Sequence, residues 1–118
     1  MMIIYNHMVV DYHHRNRTDE VFHALADATR RSIVERTLQR DYSVSELARL
    51  FPMSFAAVQK HVAVLERAEL VTKRRQGREQ CVRSNVVAIR RAEKQLERYE
   101  VLWRSRIERM NEILDEDS

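Results

Sequence analysis

The 118-residue sequence contains only one glycine, one proline and one cysteine. So few chain-breaking residues predict long helices joined by short turns, and they exclude a glycine-rich nucleotide-binding loop. A single cysteine excludes an internal disulfide and a zinc site built on cysteine pairs, as expected in a reducing cytoplasm. No apolar run approaches the roughly 18 residues needed to cross a bilayer. We therefore expect a cytoplasmic protein with no membrane partner and no cofactor.

Charge is distributed unevenly along the chain. The formal net charge of +3 is weak evidence for a nucleic-acid partner. Residues 54–84, however, carry seven Lys or Arg against three Glu, a local charge of +4. Residues 100–118 carry three Arg against six acidic residues, a local charge of −3. The first region suits a phosphate backbone, and the second would be repelled by one.

Helix caps and hydrophobic spacing divide the chain into an arm and one domain. Residues 1–17 show no clear period and are interpreted as a flexible arm that precedes a domain at 18–118. Thr18 is expected to cap the first helix, and Asp27 the second, which runs to about Gln39. The apolar residues of the second helix are Ile33, Val34 and Leu38.

Two further helices follow across a tight turn. Ser43 and Glu46 form an S-x-x-E capping box for a short third helix, in which Leu47 and Leu50 are expected to brace the next one. Phe51-Pro52 ends this helix, and Ser54 caps a fourth that extends to about Arg67. The predicted buried residues of the fourth helix are Val58, Val62 and Leu65.

The last third of the sequence predicts a β-hairpin and a long helix. Two strand-like runs over 71–84 flank Gly77, which supplies the positive φ that a hairpin turn needs. From Val86 to about Glu116 the spacing is helical, and so long a helix cannot be covered by so small a domain. We expect its apolar stripe to pack against a second copy of the chain. The predicted interface residues are Phe22, Leu96, Tyr99, Trp103, Ile107, Met110 and Leu114.

A short helix, a turn, a second helix and a basic hairpin are the order of a winged helix-turn-helix, a mainly α fold with a small β-hairpin. The outward side of the fourth helix can enter the major groove of double-stranded DNA, where Gln59 suits adenine and small alanines allow close approach. For His61 a DNA contact and a structural hydrogen bond both remain open. The predicted DNA-binding residues of this helix are Ser54, Phe55, Ala56, Ala57, Gln59, Lys60 and His61.

The hairpin is expected to act as the wing. Its cationic tip suits the phosphate backbone or the minor groove. The predicted wing contacts are Lys73, Arg74, Arg75, Gln76 and Arg78.

Several segments together resemble the ArsR/SmtB-type regulators, over about residues 20–115. The resemblance implies a homodimer that binds an inverted repeat and usually represses transcription. The matching segments are Asp27-Ala28-Thr29-Arg30-Arg31, Ser43-Val44-Ser45-Glu46-Leu47-Ala48, Met53-Ser54, Val58-Gln59-Lys60-His61-Val62, Leu65-Glu66, Leu70-Val71, Arg74–Glu79, Tyr99 and Trp103.

The sequence departs from the family pattern at three points. Gln59 replaces the common Ser or Thr, so the family's base preference does not carry over. Glu69 stands where a Gly usually follows the recognition helix, which is expected to strain a left-handed turn by about 1 kcal/mol. Residues 46–50 contain no Cys, and residues 86–118 contain no His, so the family's usual metal ligands are missing.

Two sensor hypotheses and one non-DNA hypothesis remain as alternatives. A metal ion would need the N-terminal histidines, and a thiol sensor would need Cys81 with its pKa lowered by Arg83. A protein-interaction module would not need the basic wing. No catalytic motif of an enzyme is present, and no pattern indicates a particular small-molecule effector. The candidate metal ligands are His7, Asp11, His13 and His14.

Overall fold

A computed structural model describes the backbone of residues 3–5, 8–10 and 12–116 and the side chains of residues 17–116. The elements in chain order are β1 (Ile3–Tyr5), β2 (Met8–Val10), α1 (Tyr12–Leu25), α2 (Ala28–Gln39), β3 (Tyr42–Ser43), α3 (Val44–Leu50), α4 (Phe55–Arg67), β4 (Val71–Gln76), β5 (Glu79–Ser84) and α5 (Val86–Glu116).

The start of the first helix differs from the prediction. Helix α1 begins at Tyr12, so the cap assigned to Thr18 is wrong. No Gly or Pro stands between the two positions, and Arg15 and Arg17 are good helix formers, so helical structure extends toward the N-terminus. The antiparallel β1–β2 pair before it was also not predicted. The candidate metal ligands near the N-terminus lie outside the residues whose side chains are described, and a flexible arm at 1–17 remains a prediction.

The second helix buries a threonine where a leucine was expected to be buried. Asp27 caps α2 as expected, because its carboxylate accepts the backbone N–H of Arg30 at 3.0 Å. Ile33 is buried, but Leu38 is 50% exposed and Thr37 is buried in its place. The Thr37 hydroxyl bonds the carbonyl of Ile33 at 2.8 Å and lies 2.7 Å from the hydroxyl of Ser84 on β5. A polar residue is therefore buried here because its hydrogen bonds are satisfied.

Two antiparallel sheets lie in the described chain, and the larger, ordered β3-β5-β4, joins the hairpin to the helical core. A two-residue strand follows α2, in which Tyr42 pairs with Val82 and Ser43 pairs with Cys81. Buried side chains from α1, α2, α3, α4, the inner ends of the hairpin and the start of α5 form one core. Within the described residues, no helix combines the length and the apolar character that crossing a bilayer requires.

Candidate nucleic-acid interface

Helix α3 begins with the predicted capping box. The Ser43 hydroxyl accepts the backbone N–H of Glu46 at 3.0 Å, and the Glu46 carboxylate accepts the backbone N–H of Ser43 at 3.1 Å. Arg40 adds a 3.0 Å ion pair to the same carboxylate. These hydrogen bonds, that of the Ser43 N–H first, lower the pKa of Glu46 below its ordinary value. Leu47 is buried in the core as expected, whereas Leu50, the last residue of the helix, is 43% exposed and does not belong to that core.

Helix α4 presents one side of its first two turns to solvent. The Ser54 hydroxyl accepts the backbone N–H of Ala57 at 3.1 Å, which fixes the start of the helix. Its buried residues are the three that the spacing predicts: Val58, Val62 and Leu65. The exposed residues on the other side include Phe55, Ala56, Gln59 and Lys60, and Ala57 is partly buried.

His61 faces the helical body instead. Its side chain is 22% exposed, and its Nδ1 lies 3.2 Å from Nη1 of Arg30 and 3.9 Å from Oδ2 of Asp27. The structural hydrogen bond that the sequence left open is therefore present. Sequence reasoning missed its partner, because Arg30 precedes His61 by 31 positions and no local pattern joins them.

The end of α4 adopts the left-handed turn that the resemblance implies. Glu69 stands at the position where a Gly is usual and has a φ of 62°, so the left-handed turn is kept. The N–H of Glu69 bonds the carbonyl of Glu66 at 3.0 Å, and the N–H of Leu70 bonds the carbonyl of Leu65 at 2.9 Å. This pair of hydrogen bonds is the Schellman arrangement, and it directs the chain into β4.

The wing is a regular two-residue hairpin. Gln76 pairs with Glu79 next to the turn, and Gly77 has a φ of 62° as predicted. Arg78, the second turn residue, has no positive φ, which is the sign pattern of a type II′ turn. All residues from 72 to 80 are exposed.

The wing cations differ in how far they are already paired. Lys73 lies 3.6 Å from the carboxylate of Glu66 on α4. Arg75 donates to the carbonyl of Gly77 at 3.3 Å. Arg74 and Arg78 make no ion pair with the described side chains, so their charge is available to an anionic partner.

At the base of the wing, Arg83 is held by Asp41 through both carboxylate oxygens. The contacts are 2.8 Å from Nη2 to Oδ2 and 3.1 Å from Nε to Oδ1. Cys81 lines a shallow cavity of about 240 Å³ beside this pair. Burial, and then the nearby Asp41 carboxylate, raise the pKa of the Cys81 thiol. Arg83 does lower the pKa of the thiol, but burial and the Asp41 carboxylate outweigh it, so the net lowering expected from the sequence is wrong.

Helix α5 leaves most of its apolar side chains in solvent. Its buried residues are Ala88 and Ala92, both near its start. Trp103 is 56% exposed, although the guanidinium of Arg106 lies over its ring at 5.8 Å. Within the described part of the chain, no three His, Cys, Asp or Glu side chains come together to hold a metal ion. The predicted interface residues exposed in the single chain are Phe22, Leu96, Tyr99, Trp103, Ile107, Met110 and Leu114.

Comparisons with known proteins agree with this architecture. The profile of the bacterial regulatory protein, arsR family, matches residues 27–73. The HTH-type transcriptional regulator Rv2034 of Mycobacterium tuberculosis is 49% identical over 59 residues, which are 50% of this chain and 55% of that protein. The chain thus matches about half the length of this curated relative.

Solved structures extend the similarity over most of the chain. The ArsR family transcriptional regulator RHA00566 is 31% identical, with a TM-score of 0.74 over 77% of this chain and 94% of its own. A homodimeric winged helix-turn-helix DNA-binding domain from Mycobacterium bovis is 26% identical, with a TM-score of 0.61 over 79% of this chain and 90% of its own. The predicted winged helix-turn-helix fold is confirmed, and the matched proteins are regulators rather than enzymes. The chain belongs to the ArsR family of bacterial regulatory proteins.

Proposed function

We propose that the chain is a sequence-specific DNA-binding regulator that represses transcription as a cytoplasmic homodimer. Helix α4 reads the major groove, and the β4–β5 wing contacts the backbone or the minor groove. The observation that carries the proposal is the exposed start of α4 in the same domain as an exposed wing with unpaired arginines. A solvent-exposed helix start of small and amide side chains next to free cations is what base reading and phosphate contact require.

Each part of the proposed interface has a distinct physical task. The Ser54 hydroxyl and the free N–H groups of the first turn can hold a phosphate oxygen. Gln59 offers a donor and an acceptor for an adenine edge, and Lys60 suits a phosphate or a guanine. Arg74 and Arg78 supply charge that neutralises phosphates, which gives affinity with little sequence preference.

The uncovered stripe of α5 supports the homodimer, as does the homodimeric relative. A two-fold dimer presents two α4 helices to the same face of DNA, and these reach half-sites about one helical turn apart, about 34 Å. The site is therefore an inverted repeat. A dimer bound across such a repeat obstructs any other protein that needs the same DNA, so repression is the simplest outcome.

The experiment is selection from a library of random double-stranded oligonucleotides, followed by fluorescence anisotropy with the enriched duplex. An enriched inverted repeat supports the proposal. The absence of any enriched sequence, with folded protein, would exclude it and favour the protein-interaction module.

A second selection uses Gln59→Ala. Because Gln59 is proposed to read one base pair, this variant is expected to lose its base preference at one position in each half-site. The expected loss of binding free energy that discriminates between bases is about 1–3 kcal/mol. Arg49→Ala, an exposed change at the end of α3, serves as a control and is expected to keep the wild-type preference. Unchanged preference in Gln59→Ala would exclude Gln59 as a reading residue.

A further inference from the structure

One guanidinium joins three helices. The Nε of Arg30 on α2 donates to the carbonyl of Ala24 at 2.7 Å, and Nη2 donates to the carbonyl of His23 at 3.1 Å. Both carbonyls belong to the last turn of α1, and that of His23 also accepts the backbone N–H of Ala26 at 3.2 Å. The third nitrogen, Nη1, lies 3.2 Å from Nδ1 of His61 in the middle of α4. Arg30 therefore ties the end of α1 directly to the helix that we propose reads DNA.

The chemistry of the contact defines the roles of the two side chains. Arginine has no acceptor, so the contact is a hydrogen bond when Nδ1 of His61 accepts and the ring proton lies on Nε2. The facing charged groups are Arg30 and Asp27, whose Oδ2 is 3.9 Å from Nδ1. The backbone N–H of Arg30 is the main cause that lowers the pKa of Asp27, so this carboxylate stays ionised beside both side chains. The contact is thus a specific, directional bond within a defined charge arrangement.

The position of His61 in the sequence connects this bond to the residues that we propose read DNA. Gln59 and Lys60 precede it directly on α4, so whatever restrains His61 also restrains the rotation of α4 about its own axis. At the other end, α1 packs against α5 and carries Phe22 of the proposed dimer interface. Small displacements of a reading helix matter, because a misplaced base contact is lost rather than weakened gradually.

We propose that Arg30 and His61 are positioning residues that set the orientation of α4 relative to α1 for base reading, and that neither needs to touch DNA. The inference rests on the proposed function. It differs from the possibility, left open by the sequence, that His61 itself contacts a base.

The test measures binding of the duplex enriched by the wild-type protein, and of an unrelated duplex of equal length. His61→Leu, which removes the acceptor, is expected to lose about tenfold in affinity for the enriched duplex, the size of one lost base contact. Affinity for the unrelated duplex should stay the same, because the wing is unchanged. His61→Asn, whose Oδ1 restores an acceptor near the position of Nδ1, should recover most of the loss. If the Asn variant binds as weakly as the Leu variant, the proposal is wrong.

Arg30→Lys breaks the link from the other side, since one ammonium cannot satisfy three acceptors held in a fork. The double variant Arg30→Lys/His61→Leu should bind about as weakly as the weaker single variant. Losses that add would show that His61 acts independently, by touching DNA, and would overturn the proposal. Arg31→Lys is the matched control, because Arg31 also donates to an α1 carbonyl, that of Leu25 at 2.8 Å, but has no described contact with α4. Circular dichroism confirms that each variant is folded at the temperature used.

A second measurement does not depend on DNA. Nitrogen-15 NMR of the His61 ring should show the Nε2–H form in the wild type and a mixture of both forms in Arg30→Lys. A ring protonated at Nδ1 in the wild type would overturn the proposal even if DNA binds. Failure of the wild type to bind any duplex, with the Nε2–H form present, would instead contradict the proposed function.

Discussion

Arg83 and Asp41 form a two-point ion pair that fastens the wing to the turn before β3. The two residues are 42 positions apart, and both ends of the carboxylate are engaged. β3 already pairs with β5 through Tyr42 and Ser43. The ion pair therefore extends the contact between the wing and the helical core by a charged, directional bond.

The first prediction concerns the pH dependence of this pair. The hydrogen bonds of Arg83 lower the pKa of Asp41 below its ordinary value of 3.8. A carboxylate whose pKa is lower in the folded state stabilises that state above its unfolded pKa, and the stabilisation is lost as the pH falls through the folded pKa. Asp41→Asn should therefore lower the thermal midpoint near neutral pH, and the difference from wild type should vanish in strong acid. Asp19→Asn, an exposed carboxylate without a described ion pair, should show no such difference. An equal deficit at both pH values would contradict the prediction.

The second prediction concerns the thiol. Because burial raises the pKa of Cys81, little thiolate is present near neutral pH, and the thiolate is the reactive form. Alkylation by iodoacetamide, followed by mass spectrometry, should be slower than for a free cysteine. Mild hydrogen peroxide should leave DNA affinity unchanged in both the wild type and Cys81→Ser. Release of DNA by peroxide from the wild type alone would restore the thiol-sensor hypothesis.

The third prediction concerns the left-handed residue after α4. Glu69→Gly relieves an unfavourable φ, but it also removes the 3.1 Å ion pair between Glu69 and Arg91. Glu69→Ala removes the same ion pair and keeps the Cβ, so it is the matched control. We expect the Gly variant to be more stable than the Ala variant by about 1 kcal/mol in urea unfolding. Equal stability would show that the turn carries no strain.

The fourth prediction concerns the wing cations. Arg74→Gln/Arg75→Gln should weaken binding to every DNA sequence and reduce the salt dependence, with the slope of log affinity against log salt falling by up to about 2. Arg98→Gln/Arg104→Gln on α5 removes the same charge away from the wing and should leave the slope unchanged. The slope is measured by anisotropy titrations. An unaltered slope in the wing variant would show that the wing does not contact DNA.

The fifth prediction concerns assembly. Trp103→Asp places a charge in the apolar stripe of α5 and should convert the dimer to a monomer in sedimentation velocity, with loss of affinity for the enriched duplex. Val101→Asp is the control, because Val101 is equally exposed but lies about 200° around the helix from Trp103. A monomeric wild type, or dissociation by the Val101 change alone, would contradict the proposed interface.

Features encoded by neighbouring residues were predictable from the sequence. The caps at Asp27, Ser43 and Ser54 were predicted correctly, because a cap depends on a few adjacent positions. The turn at Gly77 was likewise predicted from a single residue.

Contacts between distant segments were not predictable in this way. The strand at Tyr42–Ser43 exists only because β5 lies beside it, and two residues carry no strand pattern of their own. The Arg30–His61 and Asp41–Arg83 bonds join residues 31 and 42 positions apart. Thr37 is buried instead of Leu38 because Ser84 supplies a partner, which the spacing of apolar residues does not encode.

The exposure of α5 affects how many of its turns are ordered at any moment. Beyond Ala92, no residue of this 31-residue helix is fully buried by the described part of its own chain. Most of the stability of a protein helix comes from packing of its apolar face, which this part of α5 lacks in the single chain. We therefore expect more turns of α5 to be ordered when copies of the chain associate. Dilution should melt the distal turns first, and amide hydrogen exchange there should report the concentration of the protein.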